Sequence, residues 1–201
     1  MVLDHRVRVA TIRSAALRVE GAFSSAWLKI CRLEVIRVLK PLPGLIWFLP
    51  RSRRSDDMAD PEAIYHWRRL DDRVTTSGQP TESQLSDIHA LGVRHVINLG
   101  LHTHEKALPD EAASVSRLGM TYIHIPVDFQ NPTDRDFEQF CAVMEELKEV
   151  PVHVHCIANY RVSAFFYRYR RDLLGMDEAM ARAEMEEIWQ PEGVWAAFVG
   201  R

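Results

Sequence analysis

The sequence predicts an α/β domain with a central, mostly parallel sheet flanked by helices, and three observations predict it. Short apolar runs at 93–99, 122–127 and 152–155 have strand lengths and strand residues. Longer stretches beside them open on helix-capping residues, and those at 81–92 and 110–119 close on glycine. The loops that follow these three strands then fall at one edge of the sheet, as alternating strands and helices require.

The elements follow in order. Residues 60–70 read as a short lead-in helix, and 75–81 as a strand end and turn around Gly78 and Pro80. Thr81-Glu82-Ser83-Gln84 fits a capping box, with Leu85, Ile88 and Leu91 on one helical face and Gly92 as its stop. After the strand at 93–99 comes a polar loop, 100–109, holding His102, His104, Glu105 and Lys106 at the end of a parallel strand where ligands gather. A helix over 110–118 closes at Gly119, and the strand at 122–127 delivers Asp128 at its carboxyl end. Asn131-Pro132-Thr133 caps a helix over 134–149, on which Cys141 reads as a buried position. Val152-His153-Val154-His155 alternates an apolar face with a second face and runs into Cys156. Residues 162–174 lack Gly and Pro, carry Arg168, Arg170 and Arg171 near their end, and stop at Gly175. The rest, 176–199, is helical: Asp177 caps a helix reaching about Trp189, and Trp189, Trp195 and Phe198 read as aromatics that cover the core.

Length and composition fit one globular domain, at 201 residues, 47% hydrophobic and 26% charged. The net charge of −3 conceals an asymmetry, +8 over residues 1–54 and −11 over the remainder. Residues 1–57 are expected to be a basic extension outside a domain at 58–201. Their apolar residues would suit an amphipathic helix over about 14–39 that touches a membrane surface, the alternative being an upstream segment preceding a domain that starts at Met58. No stretch is apolar enough to span a bilayer, since Glu34, Arg37 and Lys40 interrupt the most hydrophobic one. Three cysteines, Cys31, Cys141 and Cys156, make no disulfide framework and fit a reducing cytoplasm. No nucleic-acid partner is indicated.

Cys156 sits at a strand-to-helix turn, where free backbone N–H groups and the positive end of the helix favour an oxyanion and a thiolate. A cysteine so placed beside a cation can fall from a pKa of about 8.5 to roughly 3.5–7.5. Arg161 supplies that cation, and its planar fork suits two phosphoryl oxygens. Ser163, on the first turn, is placed to hydrogen-bond the Cys156 sulfur and help it leave. Ile157, Ala158, Asn159 and Tyr160 form the anion cradle. Asn159 tolerates a left-handed backbone and Tyr160 lies at the rim. His155 is expected to orient the loop and His153 to be packed or hydrogen-bonded. His102, His104, His124, His153 and His155 lack the spacing of a zinc site and read as structural.

Strand, His-Cys, short loop, Arg, hydroxyl residue and helix together resemble the cysteine-dependent phosphatases, in which His-Cys-x5-Arg-Ser/Thr forms the phosphate loop. Here four residues separate Cys156 from Arg161, so the arginine comes one place early, while Ser163 stands seven places after the cysteine as in that pattern. The shorter loop looks more like the bacterial atypical dual-specificity branch that includes the phosphatase-like domain of beta-lactamase-hydrolase-like proteins. Rhodanese sulfurtransferases share it. Thr76-Ser77-Gly78-Gln79-Pro80-Thr81, followed by Leu91-Gly92-Val93-Arg94-His95-Val96-Ile97-Asn98-Leu99, resembles the opening of the same bacterial branch. The resemblance covers about Trp67 to Ser163.

It implies a phosphatase-like fold and a phosphomonoester hydrolase acting through a phosphocysteine on Cys156, with no metal or organic cofactor. It further implies a general acid on the loop after the preceding strand. Asp128, 28 places before Cys156, matches that position, with Asp134 and Asp136 as fallbacks. The substrate would be a phosphorylated small molecule or phosphoprotein. Two alternatives stand beside this reading, a sulfurtransferase carrying a persulfide on Cys156 and a phosphate-binding module without turnover.

Overall fold

The computed structural model describes residues 59–200; the expectations for residues 1–57 lie outside them. The sheet runs β1 (Arg68–Arg69), β2 (Val74–Ser77), β5 (Val152–His155), β3 (His95–Asn98), β4 (Thr121–His124) in spatial order. Every pair is parallel except β1 with β2. This is the expected α/β architecture. The strand that carries Cys156 takes the centre, between β2 and β3, with Thr76 and Ile97 both in register with Val154.

Alternation along β5 sorts its side chains to opposite faces. Val152, Val154 and Cys156 join the larger core with Phe137, Phe140 and Met144 of α3 (Asp134–Glu146), Phe165 of α4 (Tyr160–Arg168), Met185 of α5 (Glu178–Glu186) and Phe198 of α6 (Gly193–Val199). On the other face, Leu85 and Ile88 of α1 (Glu82–Ala90) and Val115 of α2 (Glu111–Arg117) pack with Val96 and Ile64. His153 and His155 therefore point away from the larger core, and both are fully buried.

Local chemistry explains the helix starts. Thr81 and Gln84 form the expected capping box, Thr133 and Asp136 form a second one, and Asp110 and Asp177 each accept from backbone N–H groups of the following turn. Three expectations need correction. Residues 60–70 form turns and strand β1 rather than a helix, because His66 adopts a left-handed backbone, φ 51°, that ends any helix. The helix after Cys156 is α-helical only to Arg168 and continues as a π-helical turn, Tyr169–Leu173, before Gly175. Its arginines are not simple end charges. Arg168 is buried over the Phe137 and Phe198 rings and paired with Asp134, and Arg170 is buried against Glu184. The C-terminal helical stretch is two helices, α5 and α6, with Pro191 between them.

No helix among the described residues is long and apolar enough to cross a membrane.

Candidate active site

Cys156 follows β5 directly and is fully buried, and it lines a cavity of about 260 Å³ with Ile157, Ala158, Tyr160, Arg161, Phe129 and His104. Three strand ends thus contribute, as expected: β5 through the cysteine loop, β4 through Phe129 and β3 through His104.

The cysteine loop is held from behind. Gln79 N–H donates to Ile157 O, 3.1 Å, and the His66 ring Nδ1 lies 3.0 Å from Ala158 O. Asn159 takes the left-handed conformation anticipated for it, φ 63°, and its side-chain amide donates to His66 O, 2.8 Å, and Thr76 Oγ1, 3.1 Å. With loop carbonyls engaged on this outer side, the chain enters α4 with free N–H groups at the helix start. The Thr76–Thr81 motif is accounted for residue by residue. Ser77 O accepts from Cys156 N–H, and Gly78 allows an approach that a Cβ would block, 2.9 Å from Ile157 O. Gln79 holds Ile157, and Thr81 caps α1.

Arg161 is 6% exposed, its Nε has no hydrogen-bond partner, and its guanidinium carbon lies 5.1 Å from the Phe129 ring centre. No carboxylate of the described residues forms an ion pair with it within 4.0 Å. Burying an unpaired charge is costly, so a guanidinium without a carboxylate partner in a cavity wall is suited to pairing with an anion. Tyr160 lines the same cavity and stacks on Trp189, ring centres 4.7 Å apart, so Trp189 reaches the cysteine loop rather than only covering the core.

Two expected residues are placed elsewhere. The Ser163 hydroxyl donates to Tyr160 O, 3.0 Å, accepts from Trp189 Nε1, 3.1 Å, and faces a separate cavity of about 20 Å³, so it makes no hydrogen bond to the Cys156 sulfur. The first-turn hydroxyl is consumed by its own helix start. Asp128 is exposed, and its carboxylate accepts from Gln130 N–H, 2.9 Å, in the turn before Asn131; its neighbour Phe129, not Asp128, lines the cavity. The fallbacks are occupied, Asp136 in its capping box and Asp134 by Arg168.

Beneath the loop lies a buried polar layer in which His153 is packed and hydrogen-bonded as expected, and to which Glu111, which the sequence did not disclose, belongs. His153 sits between Thr75 Oγ1 and Ser77 Oγ, each 3.0 Å away. Ser77 spends its proton on Gly78 O, 2.6 Å, so His153 donates from Nε2 and accepts at Nδ1. Burial accordingly pushes its pKa well below the usual value. His155 Nε2 lies 3.0 Å from Glu111 Oε1 in a pair that is essentially solvent-free. Burial would raise the Glu111 carboxyl, but the His155 imidazole and hydrogen bonds from Gln79 and Tyr122 hold it down to about 2. Among the described residues no group of three or more His, Cys, Asp or Glu is placed to hold a metal ion.

Over residues 56–194 the chain matches the family model of a DSP-PTPase phosphatase fused to NAD+ kinase. It is 28% identical over 130 residues, 62% of its length, to the beta-lactamase hydrolase-like protein of Agrobacterium fabrum, and spans 28% of that protein's length. The solved DUF442 phosphatase-type protein of Shewanella putrefaciens CN-32 superposes with a TM-score of 0.61 at 37% identity, covering 68% of this chain and 87% of that one. P. aeruginosa TpbA, solved in complex with pTyr, superposes with a TM-score of 0.57 at 20% identity, covering 74% and 90% of the two chains, a likeness of fold.

Proposed function

The chain belongs to the DSP-PTPase phosphatase family and is a phosphatase, and from that membership we propose that it hydrolyses phosphomonoesters through a phosphocysteine on Cys156. The observation that carries the reading is the unmatched, buried Arg161 in the wall of the same cavity as Cys156. In this reading the Cys-x4-Arg loop serves as its longer counterpart does, with Cys156 and Arg161 lining one cavity.

In the first step the Cys156 thiolate attacks phosphorus and the bond to the leaving oxygen breaks. Arg161 and the N–H groups at the start of α4 hold the three equatorial oxygens through the trigonal-bipyramidal transition state, in which the attacking sulfur and leaving oxygen stand in line. Asp128, turning from Gln130 toward the cavity that Phe129 already lines, gives its proton to the leaving oxygen. In the second step water attacks phosphorus, Asp128 takes a proton from it, and the P–S bond breaks to return the thiolate and release inorganic phosphate. Neither step calls on a metal or organic cofactor. Ser163 is given no part in either step, since its hydroxyl is spent on Tyr160 O and Trp189.

The catalytic unit in this reading is residues 58–201. Phe129 and Tyr160 on the cavity wall favour an aryl phosphate, on a small molecule or a phosphoprotein, as the first substrate class to try. A reducing compartment such as the cytoplasm suits a free thiolate. Membership of a phosphatase family favours phosphoryl over sulfane-sulfur transfer.

The test is phosphate release from a panel of aryl, alkyl and nucleotide monoesters. Release should vanish in Cys156→Ser. In Asp128→Asn it should fall by about 10²–10⁴, most strongly for substrates with poor leaving groups. Turnover that survives Cys156→Ser would sink the proposal.

A further inference from the structure

Glu111, the first residue of α2, has no assigned role, yet its side chain collects the strand ends that build the cavity. It is 3% exposed. Its Oε1 accepts from Gln79 Nε2, 2.8 Å, and lies 3.0 Å from His155 Nε2. Its Oε2 accepts from Asn98 Nδ2, 2.7 Å, and the Tyr122 hydroxyl, 3.1 Å. Gln79 follows β2, Asn98 ends β3, Tyr122 lies in β4 and His155 ends β5. One carboxylate thus joins all four parallel strands at the level from which the site loops depart.

Each partner leads on to the cavity. Gln79 N–H fixes Ile157 O, and His155 immediately precedes Cys156. Asn98 Oδ1 accepts from Gly100 N–H, 2.6 Å, at the start of the loop whose His104 lines the cavity. Tyr122 OH lies 2.8 Å from His102 Nε2 in that same loop.

We propose that Glu111 is the positioning residue of the site, holding the His155 ring through the 3.0 Å contact to its Nε2 and so setting the exit angle of the strand that presents Cys156. Gln79, Asn98 and Tyr122 present N–H or O–H groups and His155 turns Nε2 toward the same carboxylate, so only a group that accepts at both oxygens meets them together. Both His155 ring nitrogens are buried without a hydrogen-bond partner, and Glu111 Oε1, 3.0 Å from Nε2, is the carboxylate that faces the ring. The kinetic part of this inference rests on the phosphatase reading; the part concerning His155 does not.

The test is Glu111→Gln, which keeps the shape and turns an acceptor into a donor, beside the milder Tyr122→Phe, which removes one donor. Three quantities are read on the folded protein: the His155 ring nitrogen signals by NMR, assigned against His155→Asn, the affinity for inorganic phosphate, and kcat and KM. The wild-type His155 signals set the reference. In Glu111→Gln they should move and kcat should fall at least about tenfold, with KM and phosphate affinity within about threefold, because misplacing a reacting group harms the transition state more than ground-state binding. Tyr122→Phe should show the same pattern, smaller. Unmoved His155 signals in folded Glu111→Gln, or a kcat within about twofold of wild type, would overturn the proposal, as would a kcat loss matched by an equal loss of phosphate affinity. If Glu111→Gln does not fold, Tyr122→Phe decides by the same criteria. A wild type that binds phosphate but shows no Cys156-dependent turnover would instead count against the phosphocysteine reading, and the His155 signals alone would then judge Glu111.

Discussion

Replacing Arg161 by methionine should stabilise the protein while it disables the site. The guanidinium is 6% exposed, has an unpartnered Nε and pairs with no carboxylate of the described residues; its one visible compensation is the Phe129 ring at 5.1 Å. Leaving a buried charge unpaired costs about 3–4 kcal/mol, and a desolvated cation–π contact returns about 2 kcal/mol. Methionine fills much of the same volume with no charge to desolvate, so the net gain should be about 1–2 kcal/mol. For a domain of this size that is a rise in Tm of about 3–8 °C. Inorganic phosphate should reverse the ranking, since an anion at 100 times its Kd adds about 2.7 kcal/mol to a protein that binds it and nothing to one that does not. The assay is thermal and urea unfolding of both proteins, first in buffer free of multivalent anions and then with increasing phosphate. The reasoning fails if Arg161→Met is less stable than wild type without phosphate, or if phosphate stabilises both equally.

Two further predictions concern the loop and the buried layer. Asn159→Ala forces an alanine into φ 63° and removes two side-chain hydrogen bonds, so urea unfolding should show a loss of about 2–4 kcal/mol, whereas Asn159→Gly, which relieves only the backbone, should lose about 1–2 kcal/mol. Stability should also fall with acid in two windows. His153, depressed in the fold by burial, contributes above its unfolded pKa of about 6.5 and withdraws that contribution as pH falls below it. Glu111, held at about 2 against an ordinary 4.5, contributes about 3 kcal/mol above pH 4.5 that is lost as pH falls toward 2. Urea midpoints against pH should therefore slope less between pH 4.5 and 2 in Glu111→Gln than in wild type.

The order of elements was legible because each signal was local. The Thr81 capping box, the glycines after helices and the alternation of Val152 to His155 each need only a few neighbouring residues. That Cys156 and Arg161 share one cavity was legible for the same reason, since one turn of chain brings them together. The lead-in helix misread had a distant cause: His66 takes its left-handed backbone where it meets the cysteine loop, some 90 residues away in sequence. Ser163 was misread because a first-turn hydroxyl has two possible customers, a sulfur and its own helix's carbonyl, and spacing does not choose between them. Glu111 was invisible because its four partners lie in or beside four separate strands. The one local hint was its place on the buried side of α2 with Ser114 and Val115, at helical spacing, where a carboxylate is costly without donors.

The central claim is that phosphorus passes through the Cys156 sulfur. The most direct measurement is rapid acid quench of the enzyme during turnover of an aryl phosphate, followed by peptide mass analysis. A phosphoryl group on the peptide containing Cys156, formed and lost at rates that match turnover and enriched in Asp128→Asn, is the predicted result. Steady phosphate release with no phosphoryl group on that peptide, and with activity retained in Cys156→Ser, would contradict it.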